Sequence, residues 1–169
     1  VAIGTKKVEG YNGTPKELLA EIKKIVIEQQ QLFQLSYEKL LKQLGEKHIL
    51  QTDESHLRPE ETEIISDFFE STVRSQIVPI MLSSNRKFPT LQDKGIYLAI
   101  KMTDFKKSKV KYALIQIPSS VSRFFILPAV SKNALQKVIL LDDIIRYHLT
   151  DIFSIFSFDK IEAYTFKIT

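Results

Sequence analysis

The stretch VILLDDIIRYHLTDIF, residues 138–153, holds the residue types that acid–base or metal chemistry uses. Adjacent carboxylates (Asp142, Asp143) precede Arg146, His148 and Asp151. Two carboxylates and an imidazole can share a cation or pass a proton if further ligands converge on them. The sequence does not supply those ligands. His48 and His56 lie in a distant polar segment, and no HExxH, DxDxDG or HxE pattern occurs. A helix start accounts for the same residues more simply. Asp142 or Asp143 caps, the other sits in the first turn, and both suit the free N–H groups and the dipole there. Ile144, Ile145, Leu149 and Ile152 then form an inward face, and Asp143 and Arg146 pair on the surface at a spacing of three. A metal hydrolase built on Asp142, Asp143 and His148 therefore ranks last among the functions considered.

Other reactive patterns fail similarly. Ser119, Ser120 and Ser122 stand near Arg123, but no GxSxG elbow is present. Neither GxGxxG nor GxxxxGK[ST] occurs, so no phosphate-cradling glycine loop is expected. Basic residues remain. The segment KMTDFKKSKVK, residues 101–111, has five lysines and one aspartate. It carries the whole +4 net charge of the chain, so the rest is neutral overall. Lys101, Lys106, Lys107, Lys109 and Lys111 are thus candidates for holding a polyanion, with Arg86 and Lys87 in a nearby loop and Arg123 between Ser122 and two phenylalanines. A solvated hairpin whose lysines guard a sheet edge is the competing assignment. Phe105 and Tyr112 are the aromatics interleaved there, which disfavours nucleic acid as the partner.

The positioning elements follow from periodicity. Residues 1–13 read as an irregular lead-in, and 14–169 as one domain. Thr14, Pro15 and Glu17 form a helix start with a capping box. The apolar stripe Leu19, Ile22, Val26, Phe33, Tyr37, Leu40, Leu44 predicts a helix over 15–44, stopped near Gly45. Such a helix is long enough to overhang its fold or meet another chain. Pro59, Glu60, Glu61 and Glu63 open a second helix, with Ile64, Ile65, Phe68, Phe69, Val73 and Ile77 facing inward and Pro79 ending it or lying just beyond it. The period then changes. Runs at 94–102, 109–118, 122–130 and 137–141 read as an antiparallel meander, with a hairpin turn at 103–108. A short helix over about 142–153 and a strand at 158–169 complete an α+β class: a long N-terminal helix and a second helix packed on a mainly antiparallel β-sheet.

Composition bounds the rest. With 44% apolar residues and 11 glycines and prolines together, the chain is a packed domain and not a linker. It has no cysteine, which excludes thiolate chemistry and suits a cytoplasmic setting. No apolar run approaches the roughly 20 residues of a membrane span. The start at Val1 and the end in EAYTFKIT read as an excised piece of a longer chain.

In order along the chain, GTPKELLAEIKKIVIEQQQLF, FFESTVRSQIVPIML, Phe88-Pro89-x-Leu91, IPSSVSRFFILP, VILLDDIIRYHLTDIF and AYTFKIT resemble the middle, or head, domain of bacterial polyphosphate kinase. QDKGIYLAIK departs from the family's Ser-Asn-rich run. The resemblance implies a parent enzyme that reversibly transfers the terminal phosphate of ATP to polyphosphate through a phosphohistidine, with magnesium. It places that histidine in later domains, so no catalytic residue, metal or cofactor is assigned to this chain, and the isolated chain is expected to be inactive. It also implies contact with the parent's other domains, a homo-oligomer, and polyphosphate as a ligand. A free-standing module that binds polyphosphate or RNA through the 101–111 lysines is the alternative.

Overall fold

The computed structural model describes residues 10–83, 85, 87–128 and 135–168. Part of the expected lead-in (1–9) and Arg86 lie outside the described residues. The chain divides into two compact units, Val1–His48 and Ile49–Thr169.

The first unit is dominated by α1, Pro15–Glu46. Its start is as the sequence predicts. Glu17 N donates to Thr14 Oγ1 at 3.3 Å, and Thr14 N donates to Glu17 Oε2 at 2.7 Å. The end differs slightly, because the helix runs through Gly45 and the left-handed residue is His48, at φ 60°. No residue of α1 is buried, and most of the predicted apolar stripe lies open, with Phe33 70% exposed and Tyr37 and Leu44 half-buried.

The second unit holds two sheets. Strands β2 (Ile80–Leu82), β3 (Ile96–Asp104), β4 (Lys109–Gln116) and β7 (Lys160–Lys167) form an antiparallel sheet in the order β2-β4-β3-β7. Strands β1 (Ile49–Thr52), β5 (Phe124–Ile126) and β6 (Gln136–Leu140) form a second sheet in the order β1-β6-β5. The β3–β4 and β5–β6 pairs are antiparallel as expected, but they lie in two sheets and not in one meander. Pro118 has no N–H to continue the ladder, so the chain leaves the first sheet after β4, and among the described residues of the 122–130 run Phe124–Ile126 is strand, with Pro128 just beyond it and 129–130 outside the described residues. Strand β6 pairs antiparallel with β5, as expected, and on its other side with β1, in parallel, a strand hidden in the sequence because its four residues ILQT make no apolar run.

Helix α2 covers Pro59–Phe68 and passes into a π-helical turn, Phe69–Val73, then a 3₁₀ turn, Arg74–Gln76. Ile65, Phe69 and Val73 are fully buried at successive spacings of four, as the inward face requires. Ile64, Phe68 and Ile77 pack around them. The core continues through Leu98, Ile100 and Met102 of β3 and Ala113 and Ile115 of β4 to Ile139. The helix expected over 142–153 is two pieces, α3 (Leu141–Tyr147) and α4 (Leu149–Ile152), separated at His148. Among the described residues no helix is long and apolar enough to cross a membrane.

Candidate functional site

The acidic pair is neither a cap nor a surface feature. The residue at the cap position of α3 is Leu140, and its side chain makes no capping bond. Asp142 and Asp143 lie in the first turn and are buried, at 4% and 8% exposure. Arg123, just before β5, brings Nη2 to 3.1 Å from Asp142 Oδ1, a contact of charges without hydrogen-bond alignment. The other oxygen, Oδ2, accepts from Thr165 Oγ1 at 3.0 Å. Thr165 in turn accepts from Arg146 Nη2 at 2.9 Å. Arg146 Nη1 donates to Asp143 Oδ1 and lies 3.4 Å from Glu54 Oε2. One connected network thus ties the β1–α2 loop, the approach to β5, the start of α3 and strand β7. It joins the two sheets.

The network has three carboxylates and two guanidinium groups. Burial pushes the Asp143 carboxyl up to about 6, Arg146 opposes this, and Asp142 and Glu54 add to it. Both aspartates already face a guanidinium group, and no group of three or more His, Cys, Asp or Glu among the described residues could hold a metal. His148 is turned to a different task. Its ring is buried and stacks on Phe69 of the π-helical turn at 4.1 Å, with Nδ1 3.3 Å from Asp151 Oδ2. The imidazole packs α3 against the turn after α2.

A third carboxylate is buried where the sequence does not mark it. It is Glu61, in the first turn of α2, where the sequence predicts a favourable charge at a helix start. It accepts from Arg58 N at 2.9 Å, from Arg58 Nε at 3.0 Å and from Lys137 Nζ of β6 at 2.9 Å. Burial raises its pKa, but the bonds from Arg58 and Lys137 outweigh this and hold it at about 2. The sequence signal available was the Arg58-Pro59-x-Glu61 spacing, in which Glu61 can reach back to the N–H of the cap residue.

The basic candidates are divided by the sheet. Lys101 pairs in register with Tyr112 and Glu162 on one face, and its ammonium lies 3.7 Å from Glu162. Lys109 and Lys111 pair with Asp104 and Met102 on the opposite face. There they line a cleft of about 230 Å³ with Lys107, Ile155 and Ser157. Lys111 Nζ stands 4.5 Å over the Phe156 ring, which holds the ammonium in place. Lys107 is 3.7 Å from Asp104. Lys106 lines the adjoining cleft with Lys107, Thr150 and Ser154. Lys87 is exposed and lines a separate hollow beside β2. Arg123 is committed to Asp142. The structure therefore gathers Lys106, Lys107, Lys109 and Lys111 and sets Lys101, Lys87 and Arg123 apart. Ser120 and Ser122 also have structural partners, Gln76 Oε1 at 3.3 Å and the Phe124 carbonyl at 3.0 Å.

Fold and site together define an α+β domain whose buried charges bind one another and whose open features are a basic cleft and an apolar helix. The polyphosphate kinase middle domain model matches residues 60–169. The chain belongs to the polyphosphate kinase family, through that domain. It is 32% identical over 164 residues to a polyphosphate kinase of Escherichia coli (strain K12), covering 95% of this chain and 24% of that protein. It is 30% identical over 164 residues to one of Vibrio vulnificus (strain YJ016), covering 95% and 23%. The crystal structure of polyphosphate kinase from Porphyromonas gingivalis superimposes with a TM-score of 0.76 at 23% identity, over 87% of this chain and 25% of that one, and shows the fold. The chain spans about a quarter of the length of the curated relatives that it matches.

Proposed function

We propose that this chain is the supporting middle domain of a longer, cytoplasmic polyphosphate kinase that reversibly moves the terminal phosphate of ATP onto polyphosphate. The phosphorylated histidine, the ATP and its magnesium belong to other domains. The observation that carries this reading is the family match over 60–169, in a domain whose reactive-looking residues are consumed by the fold. The residues here do not fit a magnesium–nucleotide site, because Asp142 and Asp143 already face Arg123 and Arg146. Helix α1 supports a role in homo-oligomer assembly, since most of its apolar stripe (Leu19, Ile22, Val26, Phe33 and Leu40) is exposed. The test is direct. The isolated chain with ATP and magnesium makes no polyphosphate, whereas the full-length polypeptide does. Turnover by the isolated chain would overturn the proposal.

A second reading, polyanion binding, is favoured by the grouping of Lys107, Lys109 and Lys111 in one cleft. Its affinity for polyphosphate should fall steeply with salt, and Lys109→Gln with Lys111→Gln should flatten that dependence by about two counterions. Substitution of Lys101, on the opposite face, should leave the slope near its original value. Equal effects from both faces would remove the cleft.

A further inference from the structure

The three-stranded sheet has one covered face and one open face. Neighbours along a strand alternate and register partners share a side. Phe125, Ile139, Lys137, Leu50 and Thr52 therefore point one way, and Phe124, Ile126, Val138, Leu140 and Ile49, with Gln51 and Gln136, the other. The first set packs on α2, where Phe125 stacks on Phe68 at 4.3 Å and Ile139 is fully buried. None of the second set belongs to the core or packs against it. Phe124 and Ile126 are 59% and 62% exposed.

The composition of β5 and of the end of β6 suits burial on both sides. A half-solvated strand alternates apolar and polar residues, whereas β5 is Phe-Phe-Ile and β6 ends Val-Ile-Leu. The parallel pairing of β1 with β6 points the same way, since parallel strands are usually covered on both faces. By register the polar residues of the open face are Gln51 and Gln136 and none is charged, so it lacks the cations that hold a polyanion.

We propose that this face is the docking surface for another domain of the full-length polypeptide, one that presents an apolar helix or sheet. The occupant is argued from length, and the inference rests on the parentage proposed above. The curated relatives are about four times as long as this chain, so most of a parent of that kind lies outside it and needs a surface to meet. Self-association already has a candidate in α1.

The test uses the full-length polypeptide with a photo-cross-linking amino acid at Ile126, prepared as a mixture of isotopically light and heavy protein. Cross-links to peptides outside residues 1–169 of the same molecule are expected. Three results overturn the proposal: products that join light to heavy protein, which assign the face to a second copy; cross-links confined to residues 1–169; and quenching by water alone. A second arm pairs Phe124→Ser with Ile126→Ser. In the full-length polypeptide the first thermal transition should fall by several degrees, while the isolated chain stays within about 2 °C of its original midpoint. A parallel fall in both would mean that this chain covers the face itself, against the proposal. Polyphosphate synthesis is measured on the same full-length sample. Synthesis without cross-links leaves the parentage standing and removes the docking surface, and cross-links without synthesis do the reverse.

Discussion

Asp143 stays ionised at neutral pH against the preference of its surroundings. Its folded pKa is raised from the usual 3.8 to about 6, by burial first. The folded chain therefore takes up this proton more readily than the unfolded chain. The resulting stabilisation is full below pH 3.8 and is lost as pH rises through about 6, a change of about 3 kcal/mol at most. Unfolding titrations at several pH values should show this fall, and Asp143→Asn should flatten it. Glu61 behaves oppositely. Its pKa is lowered from 4.5 to about 2, so its stabilisation is present above 4.5 and is lost only as pH falls through 2. Glu61→Gln would leave the partly buried Lys137 without its carboxylate. A loss of about 3 kcal/mol in denaturant unfolding at pH 7 is expected. A loss under about 1 kcal/mol would mean that the pair is screened by water.

At the scale of elements, the sequence was most legible where a local rule acts alone. Thr14, Pro15 and Glu17 placed the start of α1 correctly because a capping box needs only its own four residues. Thr14→Ala should accordingly cost about 1 kcal/mol of helix stability, read from amide exchange in the first turn of α1. The α2 face was legible through Phe69 and Val73. The π-helical turn was not, since periodicity registers side chains and not a widened hydrogen-bond ring. The charged site failed for a related reason. Asp142 and Asp143 have the types and place of capping residues, and only the return of β7 brings Thr165, and the approach to β5 brings Arg123, to compete for them. Lysine grouping was half legible. Alternation along β4 puts Lys109 and Lys111 together, but the exclusion of Lys101 required the register of β3 against β4 and β7.

At the scale of the whole molecule, the parallel pairing of β1 with β6 bears on synthesis. Ile49 must find Gln136, so β1 leaves the ribosome long before its partner exists. At roughly 5–20 residues per second the wait lasts on the order of 10 s. The β3–β4 hairpin closes over a short loop and needs no such delay. The four-stranded sheet can start early, while α2, whose inner face is completed by β5 and β6, waits with Ile65, Phe69 and Phe68 uncovered. Nascent chains arrested before residue 136 are thus the form of this protein that chaperones should recognise most readily, and translation paused between β4 and β5 would prolong that vulnerability.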